Sequence, residues 1–266
     1  MASAQHLESL AMDIAREAGE LARRRRSRGV AIAATKSAIA DIVTEADREV
    51  EALIRGRLAA ERPGDGFLGE ESGAGSGTTD ITWVVDPIDG TVNYAYGIPA
   101  YAVSIAAVRG VAEPDSWEAL AGAVFSPSTG ELFHAAQGAG AWLFGERLRV
   151  NAKPAPAGAL LGTGFGYNPE THAGDLARVG RVMPLARDLR RIGAASLDLA
   201  YVAAGRLDGY FERGLQPWDH AAGGLLVIEA GGRLARVELD DMPARPLIVA
   251  SGPHLFDVLF AAAVGS

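Results

Sequence analysis

The amino-acid sequence predicts a mixed α/β protein, of the α+β kind, built from stacked layers of helices and sheets. Three observations support this prediction: two amphipathic helical segments near the amino terminus, a strand-rich middle section, and an alternation of helices and strands after it. Such a pattern is typical of folds in which helices cover the faces of sheets. With 266 residues, 48% of them hydrophobic, the chain is long enough to bury a large core.

Two helices and a sheet are predicted in the first part of the chain. Residues 4–28 form the first predicted helix, because apolar side chains recur there at helical spacing. The second begins near Thr44 and ends before Pro63. Short apolar runs separated by Gly and Pro turns then predict an antiparallel sheet. Its predicted strands are residues 81–85, 101–108, 121–125, 131–135 and 141–144.

An internal boundary is predicted at residues 151–158, which are rich in turn formers and lack an apolar period. We expect it to separate residues 1–150, with the helices and the antiparallel sheet, from residues 151–266, an α/β part, within one compact unit. After the boundary, strands and helices alternate. The predicted strands are residues 159–163, 209–211 and 247–250, and the predicted helices lie near residues 173–183, 196–204, 219–230 and from 253 onward.

Glycine recurs at alternate positions in residues 162–166, Gly-Thr-Gly-Phe-Gly. This segment lacks the third glycine of a dinucleotide-binding fingerprint, and no Walker lysine follows it. We interpret it as a turn from a strand into a loop.

The composition excludes several classes of protein. The chain has no cysteine, which excludes disulfides, thiolate metal ligands and a cysteine nucleophile. A net charge of −8 gives little attraction for nucleic acids or anionic membranes, and no apolar run approaches the roughly 18 residues that a membrane helix needs. The amino terminus lacks the pattern of a signal peptide. We therefore expect a cytoplasmic protein with no nucleic-acid and no membrane partner.

A basic cluster, residues 23–28, ends the first predicted helix. Cations stabilise the negative end of a helix, so we interpret the cluster as a solvated helix end. An anionic partner is the alternative.

The strongest functional signal is residues 86–91, Asp-Pro-Ile-Asp-Gly-Thr, directly after an apolar run. Proline fixes φ and glycine permits unusual backbone geometry, so we expect a turn at a strand end that holds Asp86 and Asp89 together. Two neighbouring carboxylates repel each other unless a proton or a cation intervenes, and Mg²⁺ prefers oxygen ligands. The alternative is that both are ordinary turn residues.

Two further acidic positions repeat this pattern. Glu70, next to Glu71, follows a short apolar stretch that reads as a strand. Asp219 lies at the first turn of an apolar predicted helix, where its alternative role is to cap the free N–H groups.

The three acidic segments, Gly-Glu-Glu-Ser, Asp-Pro-Ile-Asp-Gly-Thr and Trp-Asp-His-Ala-Ala-Gly, resemble in order and spacing the signature of the inositol monophosphatase family of metal-dependent, lithium-sensitive sugar phosphatases. The resemblance extends to residues 41–47, 191–196 and 208–212. It implies a layered α/β/α/β/α sandwich, a homodimer and two or three Mg²⁺ ions in each site.

The resemblance also implies roles for individual residues. The expected metal ligands are Glu70, Asp86, the backbone carbonyl of Ile88, Asp89 and Asp219. Thr91, with Glu70 and Asp47, is expected to orient or deprotonate the attacking water. Residues 44–47 also match a variant of the capping box, so a purely structural role of Asp47 at a helix start stays equally open.

Substrate contacts complete the expected site. Ala194 departs from the hydroxyl residue that many relatives carry there, and Arg191 belongs to a basic run with Arg187 and Arg190 that could instead form surface ion pairs. The residues expected to contact substrate are Ile88, Asp89, Gly90, Thr91, Arg191, Ala195, Glu212, Asp219 and Lys36.

The resemblance implies a Mg²⁺-dependent phosphomonoesterase acting on a small polyol phosphate, with inositol 1-phosphate as the expected substrate. The alternatives are fructose 1,6-bisphosphate, histidinol phosphate, NADP or a 3′,5′-bisphosphate nucleotide. A non-catalytic binding or regulatory protein on the same scaffold is the competing class.

Overall fold

The computed structural model describes residues 3–29, 32–35, 42–110, 116–155, 157–239, 242 and 244–265. Within these residues the chain forms seven α-helices: α1 Ala4–Ser27, α2 Glu45–Glu61, α3 Thr91–Tyr96, α4 His172–Val182, α5 Ala195–Ala203, α6 Pro217–Glu229 and α7 Pro253–Val264. None of these helices is both long and apolar enough to span a lipid bilayer.

Two large sheets lie between the helices. The first has eight strands among the described residues, ordered β10-β9-β8-β7-β6-β5-β3-β4, and is antiparallel except where β3 pairs with β5. Its strands are β3 Gly66–Gly69, β4 Gly73–Gly75, β5 Ile81–Asp89, β6 Ala102–Arg109, β7 Glu118–Ser126, β8 Glu131–Ala136, β9 Gly140–Leu143 and β10 Glu146–Arg147. Before it, β1 Ile32–Thr35 and β2 Ile42–Thr44 form an antiparallel pair.

The second sheet has five strands in the described part of the chain, ordered β12-β11-β13-β15-β14. Strand β11 is parallel to both of its neighbours, whereas β15 is antiparallel to both of its own. The strands are β11 Ala159–Thr163, β12 Ala186–Arg190, β13 Gly209–Arg213, β14 Arg233–Val237 and β15 Leu247–Ser251.

Helices α1 and α2 cover the outer face of the first sheet. The buried face of α1 carries Leu7, Leu10 and Ile14 at helical spacing, and these pack in one core with β5, β6 and β7. The helix starts where the hydroxyl of Ser3 accepts a hydrogen bond from the backbone N–H of His6, at 3.2 Å.

The basic cluster at the end of α1 forms ion pairs with acidic side chains of the same surface. Arg23 pairs with Glu20 at 2.8 Å, and Arg25 pairs with Glu49 of α2. These contacts agree with a solvated helix end.

Helices α5 and α6 lie between the two sheets, and they are buried on nearly all sides. Such helices are largely apolar, as the buried run of residues 225–227 in α6 is. On the far side of the second sheet, Leu255, Phe256 and Leu259 of α7 pack against β13 and β15. The order of layers is therefore α/β/α/β/α, and the predicted fold class is confirmed.

The sequence analysis missed several strands. Strand β12, Ala-Arg-Asp-Leu-Arg, and strand β14, Arg-Leu-Ala-Arg-Val, are the two edge strands of the second sheet. Edge strands face solvent and carry charged residues, so neither shows a continuous apolar run. Strands β1 and β2 are too short to give a periodic signal. Residues 151–158 connect the two sheets, and their role as a domain boundary stays a prediction.

Candidate active site

A cavity of about 460 Å³ opens where β5 ends and where α3, α5 and α6 begin. Four of the predicted acidic residues line it: Glu70, Asp86, Asp89 and Asp219. Asp86 and Asp89 are buried, whereas Glu70 and Asp219 are partly exposed. The fold thus gathers at one cavity residues that are up to about 150 positions apart in the sequence.

The segment that carries Asp86 and Asp89 remains part of β5, so the predicted turn lies later than the sequence indicated. The pairing of β5 with β6 is irregular between Asp86 and Asp89, and the N–H of Ile88 donates to Asp86 Oδ1 at 3.0 Å. The reversal comes at Gly90, whose φ is 90°. A Cβ atom at Gly90 would lie 2.9 Å from the carbonyl oxygen of Ala100, so both conformation and space require glycine there.

The Asp89 carboxylate is held by the first turn of α5. The N–H of Ala195 donates to Oδ1 at 3.2 Å, and the N–H of Ser196 donates to Oδ2 at 2.7 Å. The hydroxyl of Ser196 donates to the same Oδ2. These three hydrogen bonds fix the rotamer of the Asp89 side chain where it lines the cavity.

Asp219 caps its helix and also lines the cavity. Its Oδ2 accepts a hydrogen bond from the N–H of Gln216 at 2.7 Å, a contact that caps α6. Asp219 also lines the cavity, so its other oxygen is available there.

Glu70 follows the end of β3, and its N–H donates to the carbonyl of Val85 at 3.2 Å. The next residue, Glu71, is fixed by a contact with α2, because its N–H donates to Oε2 of the buried Glu51 at 2.8 Å. A Cβ at Gly69 would lie 2.3 Å from that oxygen, so glycine makes room for Glu51. The sequence analysis did not single out Glu51, which occupies an apolar helix face.

The acidic groups perturb one another. Burial raises the pKa of Asp86 well above its usual range, and the charges of Glu70, Asp89 and Asp219 add to the effect. Burial, together with the charges of Asp89 and Glu70, also raises the pKa of Asp219. A bound cation would offset both the burial and the repulsion.

The donor set around the cavity fits a hard divalent cation, because it consists of carboxylate and carbonyl oxygens with no sulfur. Among the described residues, no group of three or more His, Cys, Asp or Glu side chains is already arranged to hold a metal ion.

Thr91 and Asp47 meet beside the acidic cluster. The hydroxyl of Thr91 lies 3.1 Å from Asp47 Oδ1 and 3.0 Å from the carbonyl of Ile88, and it can donate to either. Asp47 is buried in the first turn of α2. The capping alternative involves the side chain of Thr44, a residue of which the structure describes only the backbone. Helix α3 begins at Thr91, but it has only six residues and therefore a small dipole.

On the opposite side of the cavity lie Glu212 and Arg191. Burial raises the pKa of Glu212 to about 7, whereas a hydrogen bond from Tyr210 and the Arg191 charge lower it. Arg190 pairs on the surface with Asp188 at 2.7 Å, whereas Arg191 lines the cavity. One arginine of the basic run therefore forms a surface ion pair, and another faces the cavity.

Ala194 and Ala195 line the cavity as well, and the Ala195 N–H is already engaged by Asp89. The predicted substrate contact Lys36 lies outside the described residues.

Two other groups at the site escaped the sequence analysis. The side chain of Asn93 donates to the carbonyl of Ile192 at 2.8 Å and so holds the loop that carries Arg191. Arg245 lines the far end of the cavity and pairs with Asp175 at 3.2 Å. Asn93 lies two residues after Thr91 and acts on a loop of the cavity, whereas Arg245 lies in no motif, and only the tertiary fold shows the contacts of both.

Known proteins are similar to this chain over nearly its whole length. The model of the inositol monophosphatase family matches residues 3–265. An inositol-1-monophosphatase of Mycobacterium bovis is 44% identical over 275 residues, which cover 96% of this chain and 92% of that protein. The Nus factor SuhB of Escherichia coli is 42% identical over 227 residues, covering 84% and 82%. The solved structure of Mycobacterium tuberculosis SuhB superposes with a TM-score of 0.82 and 42% identity, covering 98% of this chain and 97% of that one. The chain belongs to the inositol monophosphatase family.

Proposed function

We propose that the protein is a Mg²⁺-dependent phosphomonoesterase that hydrolyses a small polyol phosphate, inositol 1-phosphate, to the polyol and phosphate. The observation that supports it most is the arrangement of four acidic residues around one cavity, with the Thr91–Asp47 pair beside them. Uncatalysed hydrolysis of a phosphate monoester is extremely slow, so the site must activate water and stabilise the leaving oxygen.

The acidic residues would hold the metal. Glu70, Asp86 and the carbonyl of Ile88 would bind one ion, and Asp86, Asp89 and Asp219 a second. Glu71, next to Glu70 in the sequence, would support Glu70 or help to hold a third ion. When bound, such ions lower the pKa of a coordinated water and neutralise charge on the phosphate and the leaving oxygen.

The chain's own groups would prepare the attack. Thr91 can pass a hydrogen bond from the water to the Asp47 carboxylate, which accepts from its hydroxyl at 3.1 Å. Glu70 would share in orienting that water or removing its proton. The N–H groups of Gly90 and Thr91 would donate hydrogen bonds to the phosphate oxygens. These hydrogen bonds would contribute more to phosphate binding than the weak dipole of α3.

The leaving polyol would be recognised by the other wall of the cavity. Glu212 would accept hydrogen bonds from its hydroxyls, and Arg191 would contribute positive charge near the phosphate. The backbone at Ala195 lies beside them, and Lys36 would add a second cation for the incoming anion.

The direct test is phosphate release from inositol 1-phosphate and from the alternative esters, each with Mg²⁺ and with a chelator. The alternatives are fructose 1,6-bisphosphate, histidinol phosphate, NADP and a 3′,5′-bisphosphate nucleotide. We expect metal-dependent turnover with inositol 1-phosphate in first place, and inhibition by Li⁺. If another ester ranks far above it, the mechanism stands and the substrate is replaced.

Asp89→Asn is the inactive control for this assay. It removes one negative charge with little change in volume, so turnover should be lost. One of its amide N–H groups would face a donor of Ala195 or Ser196, so a modest loss of stability is expected, with native circular dichroism. Loss of the native spectrum would mark Asp89 as structural first.

A non-catalytic role is the second candidate, because one relative carries the name Nus factor. It predicts a folded protein that releases phosphate from none of the esters. Salt-sensitive binding to RNA in the same preparation would favour that role.

The family also suggests a homodimer in the cytoplasm. Sedimentation equilibrium would test the dimer, and a monomer at micromolar concentration would contradict it.

A further inference from the structure

Strand β11 carries a glycine directly opposite a large polar side chain of β13. Gly162 pairs with Tyr210 in the parallel register, and Thr163 pairs with Phe211. Side chains at alternate positions share one face of a sheet, so Tyr210 and Glu212 point to the same side, where the glycines leave space. The recurring glycines that the sequence analysis interpreted as a turn from a strand into a loop begin in β11 and continue past its end at Thr163.

The space left by these glycines is filled by the polar side chains themselves. A Cβ atom at Gly164 would lie 1.9 Å from Glu212 Oε2, and one at Gly162 would lie 2.7 Å from Asp198 Oδ1. Neither distance is possible between real atoms without movement of the carboxylates. We call this group the polar slot, formed by Gly162, Gly164, Asp198, Tyr210 and Glu212.

The polar slot is buried, and one of its ends lies at the active-site cavity. The hydroxyl of Tyr210, fully buried, donates to Glu212 Oε2. Asp198 reaches the slot from α5 and is 1% exposed, and its Oδ1 has no hydrogen-bond partner among the described residues. Of the three side chains, Glu212 is the one that lines the cavity.

A buried polar group without a partner is costly, and native proteins retain few of them. Burial raises the pKa of Tyr210 well above its usual range, and the Glu212 and Asp198 charges add to this, so the phenol stays protonated and remains a donor. An apolar filling would stabilise the same space at lower cost. Retention of this group therefore calls for a function at the cavity.

We propose that the polar slot positions the Glu212 carboxylate to read the hydroxyl groups of the leaving polyol. A free glutamate side chain samples many rotamers, and ordering it on binding costs free energy. The Tyr210 hydrogen bond and the close Gly164 backbone remove those rotamers before substrate arrives. The inference rests on the proposed function, in which Glu212 meets the polyol.

The positioning residues can be tested with two esters that share the phosphate site. Inositol 1-phosphate presents ring hydroxyls, whereas p-nitrophenyl phosphate presents none. Tyr210→Phe should raise KM for inositol 1-phosphate about five- to tenfold, the effect of one lost hydrogen bond, with little change in kcat. The ratio of kcat/KM for the two esters should fall by the same factor.

Gly164→Ala is the second variant, and it acts on Glu212 from the opposite side. Its new methyl group would push the carboxylate away, so the same ratio should fall again. Gly174→Ala and Tyr201→Phe are matched controls, because Gly174 has no atom within 4 Å of its Cβ position and Tyr201 contacts Arg206 away from the cavity. Both controls should keep the wild-type ratio.

Equal losses on both esters, or an unchanged ratio in Tyr210→Phe and Gly164→Ala, would overturn the inference while the proposed function stands. Wild-type protein that hydrolyses neither ester with Mg²⁺ would overturn the proposed function, and the inference with it.

Discussion

Ser196 holds the carboxylate of Asp89 across 107 positions of sequence, with its backbone N–H at 2.7 Å and its hydroxyl on the same oxygen. The contact joins the end of β5 in the first sheet to the first turn of α5 between the sheets. Because hydrogen bonds to a charged acceptor are stronger than neutral ones, Asp89 is oriented before any ligand binds.

Ser196→Ala should therefore weaken metal binding. The change removes one hydrogen bond to a proposed metal ligand, and the loss of such a supporting contact typically lowers metal affinity or activity about 10- to 100-fold. The Mg²⁺ concentration for half-maximal phosphate release should rise by that factor, while the free energy of unfolding falls by only about 1 kcal/mol.

Ser251→Ala is the control for this variant. Ser251 is also buried, and its hydroxyl donates to the carbonyl of Gly252 away from the cavity. Its Mg²⁺ dependence should match wild type, and an equal shift in both variants would contradict the role given to Ser196.

The helix cap formed by Asp219 and its proposed role as a metal ligand can be separated by a pair of substitutions. Asp219→Asn keeps an oxygen that can accept from Gln216, so the α6 cap survives and only the charge is lost. Asp219→Ala removes the cap too, which should cost about 0.5–2 kcal/mol more in unfolding free energy. We expect turnover to be lost in both and the melting temperature to fall further in Asp219→Ala. Equal melting temperatures of the two variants would show that the Asp219 cap does not stabilise α6.

The stability of the metal-free protein should fall as the pH rises. Burial raises the pKa of Glu212 from 4.5 to about 7, and burial also raises the pKa values of Asp86 and Asp219. The folded protein therefore keeps protons that the unfolded chain releases, so the contribution of Glu212 is complete below about pH 4.5 and is lost through about pH 7.

Melting temperatures measured between about pH 5 and pH 8 with a chelator check this prediction. The same series on Glu212→Gln gives the pH dependence that comes from the other titrating groups. Added Mg²⁺ should stabilise the protein more at the higher pH, because metal ligands must be deprotonated. A melting temperature that rises with pH without metal would contradict the assignment.

Packing of α1 on the first sheet depends on Gly19. A Cβ there would lie 2.3 Å from a ring carbon of Phe125, so Gly19→Ala should overpack the core and cost about 1–3 kcal/mol. Gly56 of α2 has no atom within 4 Å of its Cβ position, so Gly56→Ala should gain up to about 1 kcal/mol from helix propensity. Urea unfolding of both variants measures the difference, and stabilisation of both would contradict the overpacking.

The sequence by itself determined the kinds of element and the chemistry of the acidic segments. Helices α1 and α2 and strands β5–β9 follow from apolar period and turn residues, because those signals depend on neighbouring positions. The acidic residues 70, 86, 89 and 219 were found for the same reason, since each stands at the end of an apolar run or at a helix start.

Only the tertiary structure decided which distant groups meet. Ser196 on Asp89, Glu51 behind Glu71, and Tyr210 on Glu212 involve isolated side chains with no local pattern. The two edge strands β12 and β14 also needed it, because pairing with a buried neighbour, and not their charged sequence, makes them strands. Local periodicity reports the burial of a segment, whereas the register between segments is set by packing across the whole core.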